Sequence, residues 1–278
     1  MLSYRHSFHA GNFADVIKHI VLIEILESLR KKDKPFEYVD THSGAGLFNL
    51  KSNDALKLEE HNTGIGKLDA KQFPELQSYF DVVDACSTSA KTSVYPGSPA
   101  IAQHYLRPQD RGWMFELHPK DFQSLSRNMK KSKKIRVTCD DGLKGLVSLL
   151  PLTSRRGLIL IDPSYEVKSE YDQVIKALES AYQRFSTGIY AIWYPVVDRN
   201  TIERMEAKLI RSGIKNIQRF ELGISPDSQE RGMTSSGMFV INPPWKLKET
   251  LSALLPKLAQ TLKQDGPLQF KCDTLVEE

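Results

Sequence analysis

The 278-residue chain has only three cysteines, Cys86, Cys139 and Cys272. They are odd in number and far apart, with no CxxC pair and no Cys/His metal spacing, which excludes a disulfide framework and a zinc ribbon or finger. Reduced thiols in a cytoplasmic protein are expected. No run of eighteen apolar residues exists, so nothing reads as a membrane span. Met1-Leu2-Ser3-Tyr4-Arg5-His6 lacks the apolar stretch of a signal peptide. Neither a GxGxxG fingerprint nor a P-loop lysine occurs, which argues against a dinucleotide or nucleoside triphosphate cradle. Repeats and low-complexity tracts are absent. A strong charge imbalance is absent too: 38 Lys and Arg stand against 34 Asp and Glu. That balance permits a nucleic-acid partner without pointing to one.

Hydrophobic residues make up 40% and charged residues 26%, the profile of a soluble globular protein with a full core. Cations cluster twice, at Arg30, Lys31, Lys32 and Lys34, and at Arg127, Lys130, Lys131, Lys133, Lys134 and Arg136. These are either helix ends, where cations are favoured, or a surface for phosphates.

Phe13, Val16, Ile17, Ile20 and Val21 recur at three- and four-residue spacing and predict a helix from about Asn12 to Lys31, stopped by Pro35. A strand over 36–40 then runs into the small-residue turn Thr41-His42-Ser43-Gly44-Ala45-Gly46. The segment 47–93 is polar and without convincing strands, and is expected to be a helical insertion within one domain spanning 1–278. After the turn Tyr95-Pro96-Gly97-Ser98-Pro99 the chain alternates. Strands are expected at 113–117, 135–139, 157–162 and 189–193, with helices from about 119, over 169–185 and over 200–212. Two final strands, 214–222 and 237–241, lack a helix between them and are most easily antiparallel. A last helix spans about 246–263. Strand–helix alternation with this ending predicts an α/β, Rossmann-like fold: a seven-stranded, mostly parallel sheet.

In such a sheet ligands bind beyond the carboxyl ends of the strands. The first strand ends at Asp40, His42, Ser43 and the glycines Gly44 and Gly46. The second ends at Glu116, a carboxylate suited to ribose hydroxyls. The third ends at Asp141 and Gly142, suited to an adenine edge. Singly each could be a turn or a helix cap. In this order, without a phosphate cradle, they favour an adenosine cofactor that carries no phosphate, S-adenosylmethionine.

The fourth strand ends at Asp162-Pro163-Ser164-Tyr165. The amino nitrogen of adenine is a poor nucleophile because its lone pair is delocalised. Two acceptors aimed at its N–H groups help localise that pair. The Asp162 carboxylate is one, and a backbone carbonyl, that of Pro163, the other. Pro163 also stiffens the turn, and Tyr165 offers a face on which an extruded base stacks. Asn242-Pro243-Pro244-Trp245 looks similar but follows the last strand, so strand order favours Asp162 as catalytic and makes the second copy a structural turn.

The residues now in view resemble the RlmJ family of bacterial 23S rRNA adenine-N6 methyltransferases. The resemblance covers nearly the whole chain. Its most specific pieces are Met1–Asn12, Asp40-Thr41-His42, Tyr95–Pro99, Ser154–Pro163, Trp193–Val197, Arg231–Thr234 and Ile241–Trp245. It implies a Rossmann-like S-adenosylmethionine-dependent methyltransferase with an inserted helical subdomain. It implies that His19, His42, Ser98, Glu116, Asp141 and Gly142 line the cofactor site, that Asp162 is the catalytic acceptor, and that Tyr4 contacts the RNA. Lys18 stands as a contact only. The chain departs from the family's Asp-Pro-Pro-Tyr in having Ser164 for the second proline, which frees one φ and restores a backbone N–H. The expected partner is 23S rRNA, free or in an early assembly particle, met by a monomer that uses no metal. Two other readings remain: a DNA adenine methyltransferase, since the tetrapeptide does not separate DNA from RNA, and an RNA-binding assembly factor on an inactive scaffold.

Overall fold

The computed structural model describes residues 5–87, 93–228 and 232–278. Tyr4 and Arg231 lie outside these residues. A single 3-10 turn, His6–Phe8, leads into α1 (Phe13–Arg30). Asn12 caps α1 through its side chain, which accepts from the amides of Ala14 and Asp15 at 3.0 Å each. The predicted apolar face understates this helix. It is buried on nearly every side, including Asp15, Lys18 and His19, because it is packed against the sheet below and other helices above.

Next come β1 (Glu37–Asp40), β2 (Leu47–Asn49), α2 (Ala55–Leu58), α3 (Gln77–Cys86), β3 (Val94–Pro96) and α4 (Ser98–Tyr105). The chain between β1 and α4 leaves the main sheet and carries short helical pieces. It is bracketed by an antiparallel β2–β3 pair, Leu47 opposite Pro96 and Asn49 opposite Val94. The sequence hid those strands because each is three residues long, too short for a period to show.

The remaining elements are β4 (Arg111–Phe115), α5 (Pro119–Met129), β5 (Ile135–Thr138), α6 (Gly142–Leu149), β6 (Gly157–Ile161), α7 (Glu170–Arg184), β7 (Ile189–Val196), α8 (Arg199–Arg211), β8 (Ile217–Gly223), β9 (Ser235–Ile241), α9 (Leu247–Leu262) and β10 (Phe270–Val276). The large sheet has the order β10-β8-β9-β7-β6-β1-β4-β5. The β5-β4-β1-β6-β7 part is parallel, and β9 lies antiparallel between β7 and β8. This is the strand order of Rossmann-like methyltransferases, as expected, with one strand more. The eighth strand, β10, pairs antiparallel with β8 along the edge. It was missed because Phe270-Lys271-Cys272-Asp273-Thr274-Leu275-Val276 mixes charged and apolar residues, none of them fully buried.

Helices cover both faces. One core layer lies under α1, α4 and α9, and a second under α6, α7 and α8. β6 (Gly-Leu-Ile-Leu-Ile) is buried throughout, as a central parallel strand requires. The β6–β7 register stops at Ile161 opposite Ile192, yet β7 continues to Val196. Its last residues therefore stand free of β6 beside the tetrapeptide that follows it. Among the described residues no helix is long and apolar enough to cross a membrane.

Candidate active site

A cavity of about 780 Å3 opens at the carboxyl ends of β1, β4, β5, β6 and β7. One end is walled by His42, Ser98, Glu116, Asp141 and Gly142, the other by Asp162, Pro163, Ser164, Tyr165, Trp193 and Met233. The expected residues His19, His42, Ser98, Glu116, Asp141, Gly142, Asp162, Pro163 and Tyr165 all reach this one space.

At the first end, the turn after β1 is made by Gly44 at φ +58° and Gly46 at φ +78°, conformations that favour glycine. The Glu116 carboxylate is fixed by two backbone amides: Oε2 accepts from Gly44 and Oε1 from His118, each at 2.7 Å. A carboxylate has about four lone-pair sites, so both oxygens keep one for the hydroxyls of a ribose. Burial raises the Glu116 carboxyl above its usual value, and the two amides pull it back. Asp141 caps α6, Oδ1 accepting from the amides of Leu143 and Lys144 at 3.0 and 3.2 Å. Gly142 is held against the strand end of β1. A Cβ there would sit 1.9 Å from the Thr41 carbonyl oxygen, so only glycine fits. A helix cap was one of the roles open to Asp141, but the helix it starts was not among the expected elements, because it is only eight residues long.

Ser98 faces away from the open space with its hydroxyl: Oγ donates to Asp40 Oδ2 at 2.7 Å, alongside the Tyr38 hydroxyl at 2.8 Å. Burial pushes the Asp40 carboxyl up to about 6 against these bonds. His42 is pushed down to about 4 by burial and is neutral at pH 7. His19 is pushed down to about 3 by burial, and its Nδ1 lies 2.9 Å from the Tyr95 hydroxyl. Its ring stacks on Tyr95, so it serves the wall of the cavity as much as its lining.

At the second end, Asp162 Oδ2 accepts from Lys18 Nζ at 2.7 Å. Lys18 also contacts Asp15 Oδ1 at 2.9 Å. Asp15 Oδ2 in turn meets His6 Nε2 at 2.8 Å and the Gly11 amide at 2.9 Å. A chain His6–Asp15–Lys18–Asp162 thus runs from the N-terminal turn to the tetrapeptide. Burial acts against the Lys18 charge, but Asp15 and Asp162 hold its pKa above the ordinary value. Burial raises the Asp162 carboxyl, and Lys18 works against that rise. Burial would raise Asp15 too, yet His6 and Lys18 hold it well below the usual carboxylate range. Sequence reasoning left Lys18 as a contact and did not single out His6 or Asp15. The signal was there: Asp15 and Lys18, three apart, interrupt an apolar helix at positions that share its buried side.

Tyr165 sits at φ +53°, uncommon for a non-glycine residue and characteristic of functional turns. Its hydroxyl donates to the Trp193 carbonyl at 2.8 Å, and Tyr171 stacks on it at 4.2 Å. One face of the Tyr165 ring is therefore already covered, and the side chain is 8% exposed. Trp193 lies beside it, with its centroid 5.6 Å from Lys18 Nζ. Asn242-Pro243-Pro244-Trp245 lies at the end of the sheet opposite the cavity, because β9 runs antiparallel and Ile241 pairs with Tyr190 at the start of β7. Asn242 Nδ2 donates there to the carbonyls of Ser186 and Gly188 at 2.8 and 2.7 Å, which makes this copy a turn anchor. Among the described residues no group of three His, Cys, Asp or Glu is placed to hold a metal ion.

The family model described as ribosomal RNA large subunit methyltransferase D, RlmJ, matches residues 33–272. A Haemophilus influenzae protein named ribosomal RNA large subunit methyltransferase J is 49% identical over 281 residues, covering 100% of both chains. The Escherichia coli K12 protein of the same name is 50% identical over 268 residues, covering 96% of each. A Legionella pneumophila crystal structure superimposes with a TM-score of 0.87 at 38% identity, covering 96% of this chain and 98% of that one.

Proposed function

The chain belongs to the RlmJ family of ribosomal RNA large subunit methyltransferases, and from that premise we infer that it methylates the N6 amino group of one adenine in 23S rRNA. The observation that carries the reading is Asp162 at the end of β6, on the cavity shared with the Glu116 and Asp141 strand ends. S-adenosylmethionine supplies an electrophilic methyl group on a sulfonium. The donor set fits it: paired carboxylate lone pairs at Glu116 for the ribose, the Asp141–Gly142 helix start for the adenine, and no cradle for phosphates. His19, His42 and Ser98 shape the walls around it.

The target adenine leaves its stack and enters beside Asp162. Asp162 Oδ2 is held by Lys18, which leaves Oδ1 to accept one amino N–H. The Pro163 carbonyl accepts the other. Both acceptors draw the nitrogen lone pair out of the ring and fix its direction. The N–C bond forms as the S–C bond breaks, and the nitrogen gives up one proton. Asp162 is the nearest base, and burial raises its pKa towards that task. Tyr165 and Trp193 border the base, and Tyr4 contacts the RNA. The helical insertion between β1 and α4 belongs to the one methyltransferase domain.

Incubation with labelled S-adenosylmethionine and undermodified 23S rRNA, followed by nucleoside analysis, tests this reading. N6-methyladenine in RNA, with matched DNA left unlabelled, is expected. Cofactor binding by calorimetry with no transfer to RNA would instead support an inactive scaffold.

A further inference from the structure

A second, smaller cavity of about 260 Å3 adjoins the first, between the start of α7 and one face of α8. Lys168, Tyr171 and Thr201 belong to the walls of both. Thr201, Arg204 and Lys208 are spaced by three and four residues, so they share one side of α8. The lining carries three cations, Lys168, Arg204 and Lys208, against one carboxylate, Asp172. That carboxylate is engaged, with Lys208 Nζ 2.5 Å from Oδ1. Arg204 donates to Thr201 Oγ1 at 3.0 Å and approaches Asp198 only to 3.9 Å, with 72% of its side chain exposed. Most of its five N–H groups therefore face the cleft and solvent. Lys168 is exposed at the junction of the two cavities, and Tyr171, stacked on Tyr165, is the partition between them.

An adenine held at Asp162 stays tethered to its strand. The phosphates on either side of it lie within one nucleotide of the cavity mouth. A cleft that opens from the same mouth, with an excess of cations, meets one of them at low cost in desolvation. We propose that this cleft is the subsite for the phosphodiester next to the target adenine, with Arg204 and Lys168 on the phosphate and Tyr171 against the neighbouring nucleotide. The proposal rests on the RNA methylation reading. It places a strand-reading element on α7 and α8, away from the N-terminal turn and from the 47–93 segment.

The test compares wild type, Arg204→Ala, Arg204→Glu and a distant control, Lys246→Glu, exposed at the end of the sheet away from the cavity, on an RNA hairpin carrying the target adenine. Methylation kinetics and salt-dependent binding are measured with intact RNA, and with RNA in which one phosphate beside the target is ethylated. Arg204→Ala raises KM about fivefold, with kcat within about twofold, and lowers the slope of log affinity against log salt by about 0.7, the value of one single-strand phosphate contact. Arg204→Glu raises KM further, and Lys246→Glu leaves KM and kcat as in wild type. Ethylation of one of the two flanking phosphates weakens wild type by the same factor and Arg204→Ala no further. Wild-type transfer with unchanged Arg204 variants overturns the subsite alone. So does an ethylation penalty that persists in full in Arg204→Ala. Absence of wild-type transfer overturns the methylation reading and the subsite with it.

Discussion

Replacing Lys18 by methionine removes the cation between two buried carboxylates while keeping the length and apolar stem of the side chain. In the native protein Nζ lies 2.9 Å from Asp15 and 2.7 Å from Asp162. Taking one partner from a buried ion pair costs about 3–5 kcal/mol, because the other charge is left unpaired. For a chain of 278 residues that corresponds to a fall of about 5–9 °C in melting temperature. The loss depends on pH. Without Lys18 the folded-state pKa of Asp162, already raised by burial, rises further above its unfolded value. Such a carboxyl binds more protons folded than unfolded, so its contribution to stability is lost as pH rises through the folded pKa. The variant therefore lags wild type more at pH 8 than at pH 5. A protonated Asp162 also stops being a full acceptor, so the acid limb of kcat moves to higher pH and activity partly returns in alkali. Thermal melts and single-turnover methylation between pH 5 and 9 provide the assay. A variant whose pH–rate profile keeps the wild-type midpoint, or whose melting deficit is the same at pH 5 and 8, would refute the argument that Lys18 keeps Asp162 ionised.

Asp162→Ala is expected to lower transfer by at least about a thousandfold with cofactor affinity unchanged by calorimetry; equal turnover contradicts its role. Gly142→Ala drives a Cβ into the Thr41 carbonyl at 1.9 Å, a clash with backbone worth about 1–3 kcal/mol, and weakens cofactor binding at least about tenfold; unchanged affinity and melting would show that α6 moves freely. Glu116→Gln keeps the shape but replaces one acceptor by a donor facing an amide, so cofactor affinity falls about tenfold with kcat at saturation little changed; a loss confined to kcat contradicts a ribose role. Asp40, pushed up to about 6 by burial, costs folded-state stability as pH rises through about 6. Asp40→Asn should thus gain on wild type in melts between pH 4 and 7, and a constant offset would exclude that ionisation.

The parallel half of the sheet was legible because its strands are apolar runs set between amphipathic helices, and β6 carries no polar residue at all. The site followed from it: once Asp40, Glu116, Asp141 and Asp162 were placed at successive strand ends, the topology gathered their neighbourhoods into one cavity. What stayed hidden depends on contacts that periodicity does not encode. β10 is a half-exposed edge strand whose partner β8 lies some fifty residues earlier. The β2–β3 pair is too short to show alternation. Lys18 stood only as a contact, and its distance to Asp162 across the fold is what reveals its part. Tyr165 was read as an open stacking face, and the fold gives one of its faces to Tyr171. The cleft beside it joins side chains from two helices, expected over 169–185 and 200–212, whose juxtaposition the sequence does not encode.

The central claim is that Asp162 holds an adenine of 23S rRNA for methylation at N6. Its most direct measurement is nucleoside mapping of 23S rRNA from cells that lack the protein, complemented with wild type or with Asp162→Ala. The account predicts a single N6-methyladenine restored by wild type and absent with Asp162→Ala. Restoration by both, or a methyl group found on another atom or another base, would contradict it.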